Sequence, residues 1–308
     1  MRFTKHWRKH LQIVEWQNYH DLYPHHDGHH TVGSLKIARG VFSSQLNNER
    51  DIIVYLPPSY ATSNKRYAVL YMQDGQNLFD HAMSFAGEWG IDEAMELLSY
   101  EEQLEAIIVG IPNMGAARMN EYSPFVDPYY GGGDGNHYIG FIANTLKPLI
   151  DNSFRTLPQR RTTGIMGSSM GGLISLYAFF RREDIFGFAG VMSPSLWFAR
   201  GAIYNYVENA SFLPGKIYLD AGTRELGGSR NARQQRLDSR RYYAGVRRMK
   251  RILVQKGYRP IRDLMHVEEK WAVHSESAWA RRFPSALRFF LAGARQVPYR
   301  NLHSHVWL

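Results

Sequence analysis

The sequence predicts an α/β fold, in which a mostly parallel sheet of eight strands carries helices on both faces within a single domain. Three observations support this. Strand-like segments alternate with helix-period segments along most of the 308 residues. Residues 68–72 and 106–110 are continuous apolar runs, as expected of strands buried on both faces. A Gly-x-Ser-x-Gly segment at 167–171 lies between an apolar run and a helix-period pattern.

Each predicted strand is a short apolar or alternating segment that ends in turn-forming residues. They are residues 35–42, 51–56, 68–72, 106–110, a run ending at Met166, and residues 188–192, 217–221 and 264–270. The first two are expected to pair antiparallel, and Pro57-Pro58 ends the second.

The predicted helices have apolar residues at helical spacing. They are residues 89–98, 138–150, a helix directly after Ser169, residues 203–209, a long basic helix ending near Gly257, and residues 286–292. Pro148 predicts a kink or an early end of the second helix. The loop at 111–136 is rich in Gly, Pro and Tyr, and a loop of that length is usually functional or ordered by its own packing.

We divide the chain into an N-terminal arm (1–33), the α/β domain (34–295) and a C-terminal tail (296–308). The chain has no cysteine, which excludes disulfides, thiolate catalysis and cysteine metal sites. We find no signal-peptide pattern and no apolar run long enough to span a membrane. The expectation is a cytoplasmic protein with no membrane partner; the oligomeric state is left open.

The net charge of +9 is concentrated between residues 230 and 259. This segment contains many arginines and lysines and a single acidic residue, Asp238. Nucleic-acid binding is one interpretation, but no nucleic-acid motif accompanies the segment. We expect a solvated helix face and no nucleic-acid partner, and attraction of an anionic substrate remains a third interpretation.

Residues 25–30, His-His-Asp-Gly-His-His, contain side chains that bind divalent metals. Their spacing matches no fixed metal motif. We therefore expect a turn on the N-terminal arm rather than a metal site, and no metal or organic cofactor.

Ser169 is the candidate nucleophile, because a strand, a sharp turn and a helix surround it as in a nucleophile elbow. A serine hydroxyl needs a base, and the base needs an orienting group. On sheets of this kind the order is Ser, then Asp or Glu, then His, each after a strand. Glu225 and His274 meet that order, with Asp220 as the alternative acid.

The oxyanion hole is expected to use two backbone N–H groups. One belongs to Met170, the residue after the nucleophile. The other comes from the loop after the strand at 68–72, and Gln76, just after Gly75, is the candidate. A plain turn at Asp74-Gly75 is the alternative interpretation.

The chain resembles the esterase D-like (enterochelin-esterase-like) branch of the α/β hydrolases. This branch includes feruloyl and acetylxylan esterases, S-formylglutathione hydrolase and mycolyltransferases. The matching segments are 54–60, 70–76, Arg118 with 121–124, 167–172, 222–225, and His274 with Trp279. The resemblance implies an α/β-hydrolase fold with Ser169 as nucleophile, His274 as base and Glu225 as acid, although many relatives carry aspartate as the acid.

The function expected from these residues is hydrolysis of a carboxylic ester through an acyl-enzyme. The partner is a small-molecule ester, anionic or aromatic. One alternative is acyl transfer to an alcohol by the same triad. Another is a non-catalytic ligand-binding protein with the same fold.

Overall fold

The computed structural model describes residues 14–226 and 232–292. Within them, one sheet of nine strands runs in the order β1-β2-β3-β5-β4-β6-β7-β8-β9. The strands are β1 (Gln17–Asn18), β2 (Ser34–Ser43), β3 (Asn48–Leu56), β4 (Ala68–Gln73), β5 (Ala106–Ile111), β6 (Thr163–Ser168), β7 (Phe188–Met192), β8 (Lys216–Gly222) and β9 (Leu264–Glu269).

The sheet is antiparallel at one end and parallel elsewhere. β1, β2, β3 and β5 pair antiparallel in turn, and every pair from β5-β4 to β8-β9 is parallel. The predicted mostly parallel sheet is confirmed. The ninth strand is β1, which has two residues and lies outside the eight predicted strands; it is too short to produce a sequence pattern.

The helices cover both faces of this sheet. They are α1 (Tyr19–Leu22), α2 (Ile91–Glu102), α3 (Arg118–Glu121), α4 (Gly135–Phe141), α5 (Lys147–Ser153), α6 (Met170–Arg181), α7 (Phe198–Asn209), α8 (Ala232–Lys256) and α9 (Glu276–Leu291). A π-helical turn, Ile142–Leu146, joins α4 to α5. Pro148 is the second residue of α5, directly after the π-helical turn, and the helix continues past it, so the predicted early end does not occur.

Two apolar cores lie on opposite faces of the sheet. One contains side chains from the helical segment 138–150 and from α6, α7 and α8. The other contains side chains from α2 and α9. None of the helices that the structure describes is both long and apolar enough to cross a membrane.

The last helix is longer than predicted. It begins at Glu276 rather than at residue 286, and the Ser275 side chain caps it by accepting from the Ala278 N–H. Pro284 and three arginines lie within it and interrupt the apolar pattern on which the prediction depended. This extension brings the start of α9 directly after His274.

Candidate active site

The turn between β6 and α6 holds Ser169 in a strained conformation. Ser169 has φ +56° and ψ −120°, a region that residues other than glycine rarely occupy. An added Cβ at Gly167 would lie 2.6 Å from Gln73 Cγ and 2.9 Å from the Gly171 carbonyl carbon. Only glycine therefore fits at Gly167, and the serine sits at the amino end of a buried helix.

The Ser169 hydroxyl is hydrogen-bonded to the Ser195 hydroxyl, with an Oγ–Oγ distance of 3.0 Å. The backbone of the turn is fixed as well, since the Ser195 N–H donates to the Ser169 carbonyl at 3.0 Å. Within the described residues, Ser169 and His274 share no hydrogen bond.

The His274 ring is held by a carboxylate and two aromatic rings. Its Nδ1 lies 2.7 Å from Glu225 Oε2, and its backbone N–H donates to the Glu225 carbonyl at 3.1 Å. Tyr242 and Trp279 pack edge-on to the imidazole, with ring centroids at 5.6 Å and 4.9 Å. These contacts leave the other ring nitrogen, Nε2, for a second partner.

The Glu225 carboxylate is 1% exposed and accepts three hydrogen bonds. Besides His274, the Ser193 hydroxyl donates to Oε1 at 2.6 Å, and the Gly222 N–H donates to the same oxygen. Burial alone would raise the pKa of Glu225, but His274, Ser193 and Gly222 together hold it below its ordinary value. Glu225 is therefore an ionised acceptor at neutral pH.

Asp220, the alternative acid, is fully buried but faces other groups. Its Oδ1 accepts from the Ser193 N–H at 2.8 Å and lies 3.0 Å from Arg282 Nη1. Burial raises the pKa of Asp220 to about 6, against the opposing effect of Arg282. The structure thus brings Glu225, and not Asp220, to His274.

The segment Ser193-Pro194-Ser195 links the two halves of the site. Ser195 contacts the Ser169 hydroxyl, whereas Ser193 contacts the Glu225 carboxylate. The Tyr242 hydroxyl donates to the Ser193 carbonyl at 2.7 Å, and Arg282 Nη2 donates to the Ser193 hydroxyl at 3.2 Å. The sequence predicted no role for these residues. The available signal was the polar Ser-Pro-Ser directly after the buried strand β7.

The two predicted oxyanion-hole residues each lie shortly after a central strand of the sheet. Met170 is the first residue of α6, and Gln76 lies in a 3₁₀ turn, Gly75–Asn77, directly after β4. Neither N–H donates a hydrogen bond to another described residue. The turn lies against the elbow, because an added Cβ at Gly171 would be 3.5 Å from Asp74 Oδ2.

A set of polar contacts fixes the turn that carries Gln76. The Asp74 carboxylate receives Arg118 Nε and Nη2 at 2.7 and 2.8 Å, and its backbone N–H donates to the Tyr122 hydroxyl at 3.1 Å. The Gln76 side chain accepts from the Asn113 N–H at 3.1 Å. The long loop at 111–136 thus supplies residues that orient the predicted oxyanion hole.

Histidines of the histidine-rich segment 25–30 contact neighbouring side chains. His29 Nδ1 lies 2.7 Å from Asp80 Oδ2, and the His25 ring packs on His20 and His30. The one described group of three possible ligands within 4.8 Å of one another is Glu88, Asp92 and Glu93. It includes none of residues 25–30.

The basic segment forms much of α8, and acids on α8 and on neighbouring elements neutralise part of it. Its ion pairs include Arg241–Asp238, Arg247–Glu268 and Arg248–Glu208, at 3.3, 2.5 and 3.7 Å. Residues 227–231, including Arg230, lie outside the described residues.

Comparisons with known proteins show the family to which the chain belongs. Residues 43–290 match the family model described as "Putative esterase". The chain belongs to this esterase family. Its enzyme class is therefore that of a carboxylic ester hydrolase. The Bacillus subtilis protein YbbA is 27% identical to the chain over 268 residues, covering 84% of this chain and 99% of YbbA.

Solved structures show the same fold at low identity. The BES protein from Bacillus cereus is 22% identical with a TM-score of 0.63, covering 82% of this chain and 94% of BES. The siderophore hydrolase EstA from Aspergillus nidulans is 18% identical with a TM-score of 0.65, covering 84% of this chain and 95% of EstA. The predicted α/β-hydrolase fold and the esterase D-like resemblance are thereby confirmed.

Proposed function

We propose that this esterase hydrolyses a small-molecule carboxylic ester through an acyl-enzyme on Ser169, with His274 as base and Glu225 as the acid that orients it. The observation that carries the proposal is the 2.7 Å contact between His274 Nδ1 and the buried Glu225 carboxylate. That contact fixes a proton on Nδ1, so Nε2 is the nitrogen that accepts a proton from the nucleophile. The likeness to a siderophore hydrolase supports a small-molecule ester as the substrate.

In the first step the Ser169 hydroxyl turns from Ser195 toward His274 Nε2. Its oxygen attacks the ester carbonyl carbon while the proton passes to Nε2. The developing oxyanion is stabilised by the N–H groups of Met170 and Gln76, a contribution of about 3–4 kcal/mol per donor in other enzymes of this type. The positive end of α6 adds to it.

In the second step the tetrahedral intermediate collapses. The bond from carbon to the alcohol oxygen breaks, and His274 returns the proton to that oxygen. Water then attacks the acyl-enzyme by the same route, with His274 as base, and releases the carboxylic acid. None of these steps requires a metal or an organic cofactor.

The test is hydrolysis of p-nitrophenyl acetate and butyrate by the wild type and by Ser169→Ala. The expected result is turnover by the wild type that falls to the rate of the uncatalysed reaction in the variant. Equal rates in both proteins would contradict the assignment of Ser169.

Fluorophosphonate labelling separates an unsuitable substrate from an inactive site. A fluorophosphonate reacts with an activated serine whatever ester the enzyme prefers. The expected result is a single adduct on Ser169 that Ser169→Ala lacks. Folded wild-type protein that gives no adduct would support a non-catalytic ligand-binding protein instead. Product analysis with added alcohols distinguishes acyl transfer from hydrolysis.

A further inference from the structure

A cavity of about 310 Å³ lies between α7, α8 and the loop after β7. Its walls are mostly apolar or aromatic and include Pro194, Trp197, Tyr204, Leu226 and Tyr242. An apolar cavity of about 150 Å³ accommodates benzene. The volume here is sufficient for an aromatic group of two fused rings.

The cavity adjoins the proposed catalytic residues at two points. Pro194 lies between Ser193, which contacts Glu225, and Ser195, which contacts the Ser169 hydroxyl. Tyr242 packs edge-on against the His274 ring at 5.6 Å. At each point a single residue, Pro194 or Tyr242, therefore separates the cavity from the proposed catalytic contacts.

Two large apolar side chains that line the cavity are partly exposed. Trp197 is 49% exposed and Leu226 is 42% exposed. The charged residues that line the cavity, Asp238 and Arg241, pair with each other at 3.3 Å. Because the pair is neutral overall, the cavity favours an uncharged apolar group over a carboxylate.

The position of the cavity indicates which half of the ester it takes. The predicted oxyanion N–H groups follow β4 and β6, whereas Pro194 and Leu226 of the cavity follow β7 and β8, which lie between β6 and the strand β9 that precedes His274. The histidine must give its proton to the leaving oxygen, so the alcohol half of the ester lies beside it.

We propose that the cavity between α7 and α8 binds the alcohol half of the substrate, and that this half is an uncharged aromatic or bulky apolar group. The proposal names the substrate class of the site and rests on the proposed ester hydrolysis. Its binding step can be measured without catalysis.

The first measurement is calorimetric binding of 2-naphthylmethanol, the alcohol that such an ester would release, to the Ser169→Ala protein. Leu226→Trp in this background places an indole in the cavity mouth. We expect it to weaken binding by about tenfold, as steric changes in apolar pockets do. Leu237→Trp is the matched control, because Leu237 is similarly exposed, at 40%, and does not line the cavity. Absence of binding to Ser169→Ala, or equal binding by both tryptophan variants, would overturn the proposal.

The second measurement compares two ester series in proteins with an intact Ser169. One series keeps the acetyl group and varies the alcohol from methanol to 2-naphthylmethanol. The other keeps methanol and varies the acid from acetic to 2-naphthylacetic. We expect a preference for the larger alcohol, and Leu226→Trp should lower that preference by about tenfold while Leu237→Trp retains it.

An effect of Leu226→Trp confined to the acid series would assign the cavity to the acyl half and overturn the proposal. Failure of the proposed function gives a different result, in which Ser169→Ala hydrolyses both series as fast as the wild type. In that case the binding measurement still decides whether the cavity takes the alcohol.

Discussion

At the scale of single residues, two buried acids lie close to Ser193 and differ in what surrounds them. Glu225 accepts hydrogen bonds from His274, from the Ser193 hydroxyl and from a backbone N–H. Asp220 faces the Ser193 N–H and the Arg282 guanidinium. One carboxylate is therefore placed to orient a histidine, and the other to neutralise a buried cation.

The first prediction compares these two acids by amide substitution. Glu225→Gln removes the charge that stabilises the imidazolium, and we expect kcat/KM to fall by about 10³-fold to 10⁴-fold. Asp220→Asn removes the fully buried counter-charge of Arg282 and leaves only the partly exposed Glu269, at 3.4 Å. We expect it chiefly to lower the free energy of unfolding, by about 3 kcal/mol. Ester hydrolysis and urea denaturation of both variants provide the measurements. A greater loss of kcat/KM in folded Asp220→Asn would contradict the assignment.

The second prediction concerns Ser193 as a positioning residue. Ser193→Ala removes one of the donors that favour the ionised form of Glu225, so the pKa of that carboxyl rises. The acidic limb of the pH profile of kcat/KM should move to higher pH, and the maximum should fall by about tenfold, as expected for loss of a hydrogen bond to a charged group. A uniform loss at every pH, with no movement of the limb, would indicate a structural role alone.

The sequence predicted the central residues of this site because each carries a local signal. Ser169 lies between Gly167 and Gly171 in a Gly-x-Ser-x-Gly segment, and Glu225 and His274 each follow a predicted strand. Arg282 carries no such signal, and Ser193 shows only that it follows a strand, because the roles of both residues depend on the approach of α9 to the ends of β7 and β8. Ester hydrolysis is confirmed as the enzyme class; the individual triad and oxyanion roles stay predictions.

At the scale of elements, the turn from β6 to α6 is the feature on which the site depends. The strand packs in parallel between β4 and β7, and Gly167 and Gly171 approach Gln73 closely. Tertiary packing holds the unfavourable backbone angles of Ser169. The same packing makes the turn sensitive to any added side chain.

The third prediction is that Gly167→Ala perturbs this turn. The new methyl group would lie 2.6 Å from Gln73 Cγ and 2.9 Å from the Gly171 backbone, and a backbone atom cannot move aside cheaply. We expect the free energy of unfolding to fall by about 1–3 kcal/mol, as overpacking does elsewhere, with loss of esterase activity. Gly115→Ala is a control for adding a methyl group, since an added Cβ there meets no atom within 4 Å, although its positive φ adds some strain. Equal stability of the two variants would contradict the packing argument.

The bounds of strands and helices differ in how well the apolar pattern of the sequence predicts them. The strands β4, β5 and β7 were predicted almost to the residue, because a buried parallel strand is a short apolar run. The start of α9 was missed by ten residues, since the helix alternates buried aromatic residues with arginines and contains Pro284. Arg282 is itself buried in this helix, so its polarity gave the wrong signal.

At the scale of the whole molecule, long-range contacts attach the N-terminal segment to the domain. Tyr19 donates to Asp80 Oδ2 at 2.8 Å, and His29 Nδ1 lies 2.7 Å from the same oxygen. The Val32 N–H donates to Asp92 Oδ2 at 2.8 Å. The sequence separations exceed fifty residues, so no local pattern could predict these contacts. The mostly parallel order of the strands in the sheet, by contrast, can be predicted from the alternation of strands and helices along the sequence.

The last prediction concerns the buried acid of this region, Asp92, which is 0% exposed and lies beside Glu88 and Glu93. Burial, and then Glu93, raise the pKa of the Asp92 carboxyl well above its ordinary value. Burial also raises the pKa of Glu88 to about 7. At pH values above the ordinary carboxyl pKa of about 4, Asp92 and Glu88 therefore bind more protons in the folded protein than in the unfolded chain. The protein's free energy of unfolding should decrease as the pH rises through that window.

Asp92→Asn removes this ionisation and keeps an oxygen to accept from the Val32 N–H. We expect the free energy of unfolding of the variant to decrease less than that of the wild type between about pH 5 and about pH 8, measured by urea denaturation at each pH. Glu101→Gln, an exposed position on the same helix, is the control and should follow the wild type. Parallel curves for Asp92→Asn and the wild type would mean that Asp92 titrates as an ordinary carboxyl. The loss of stability with rising pH would then have to come from other groups.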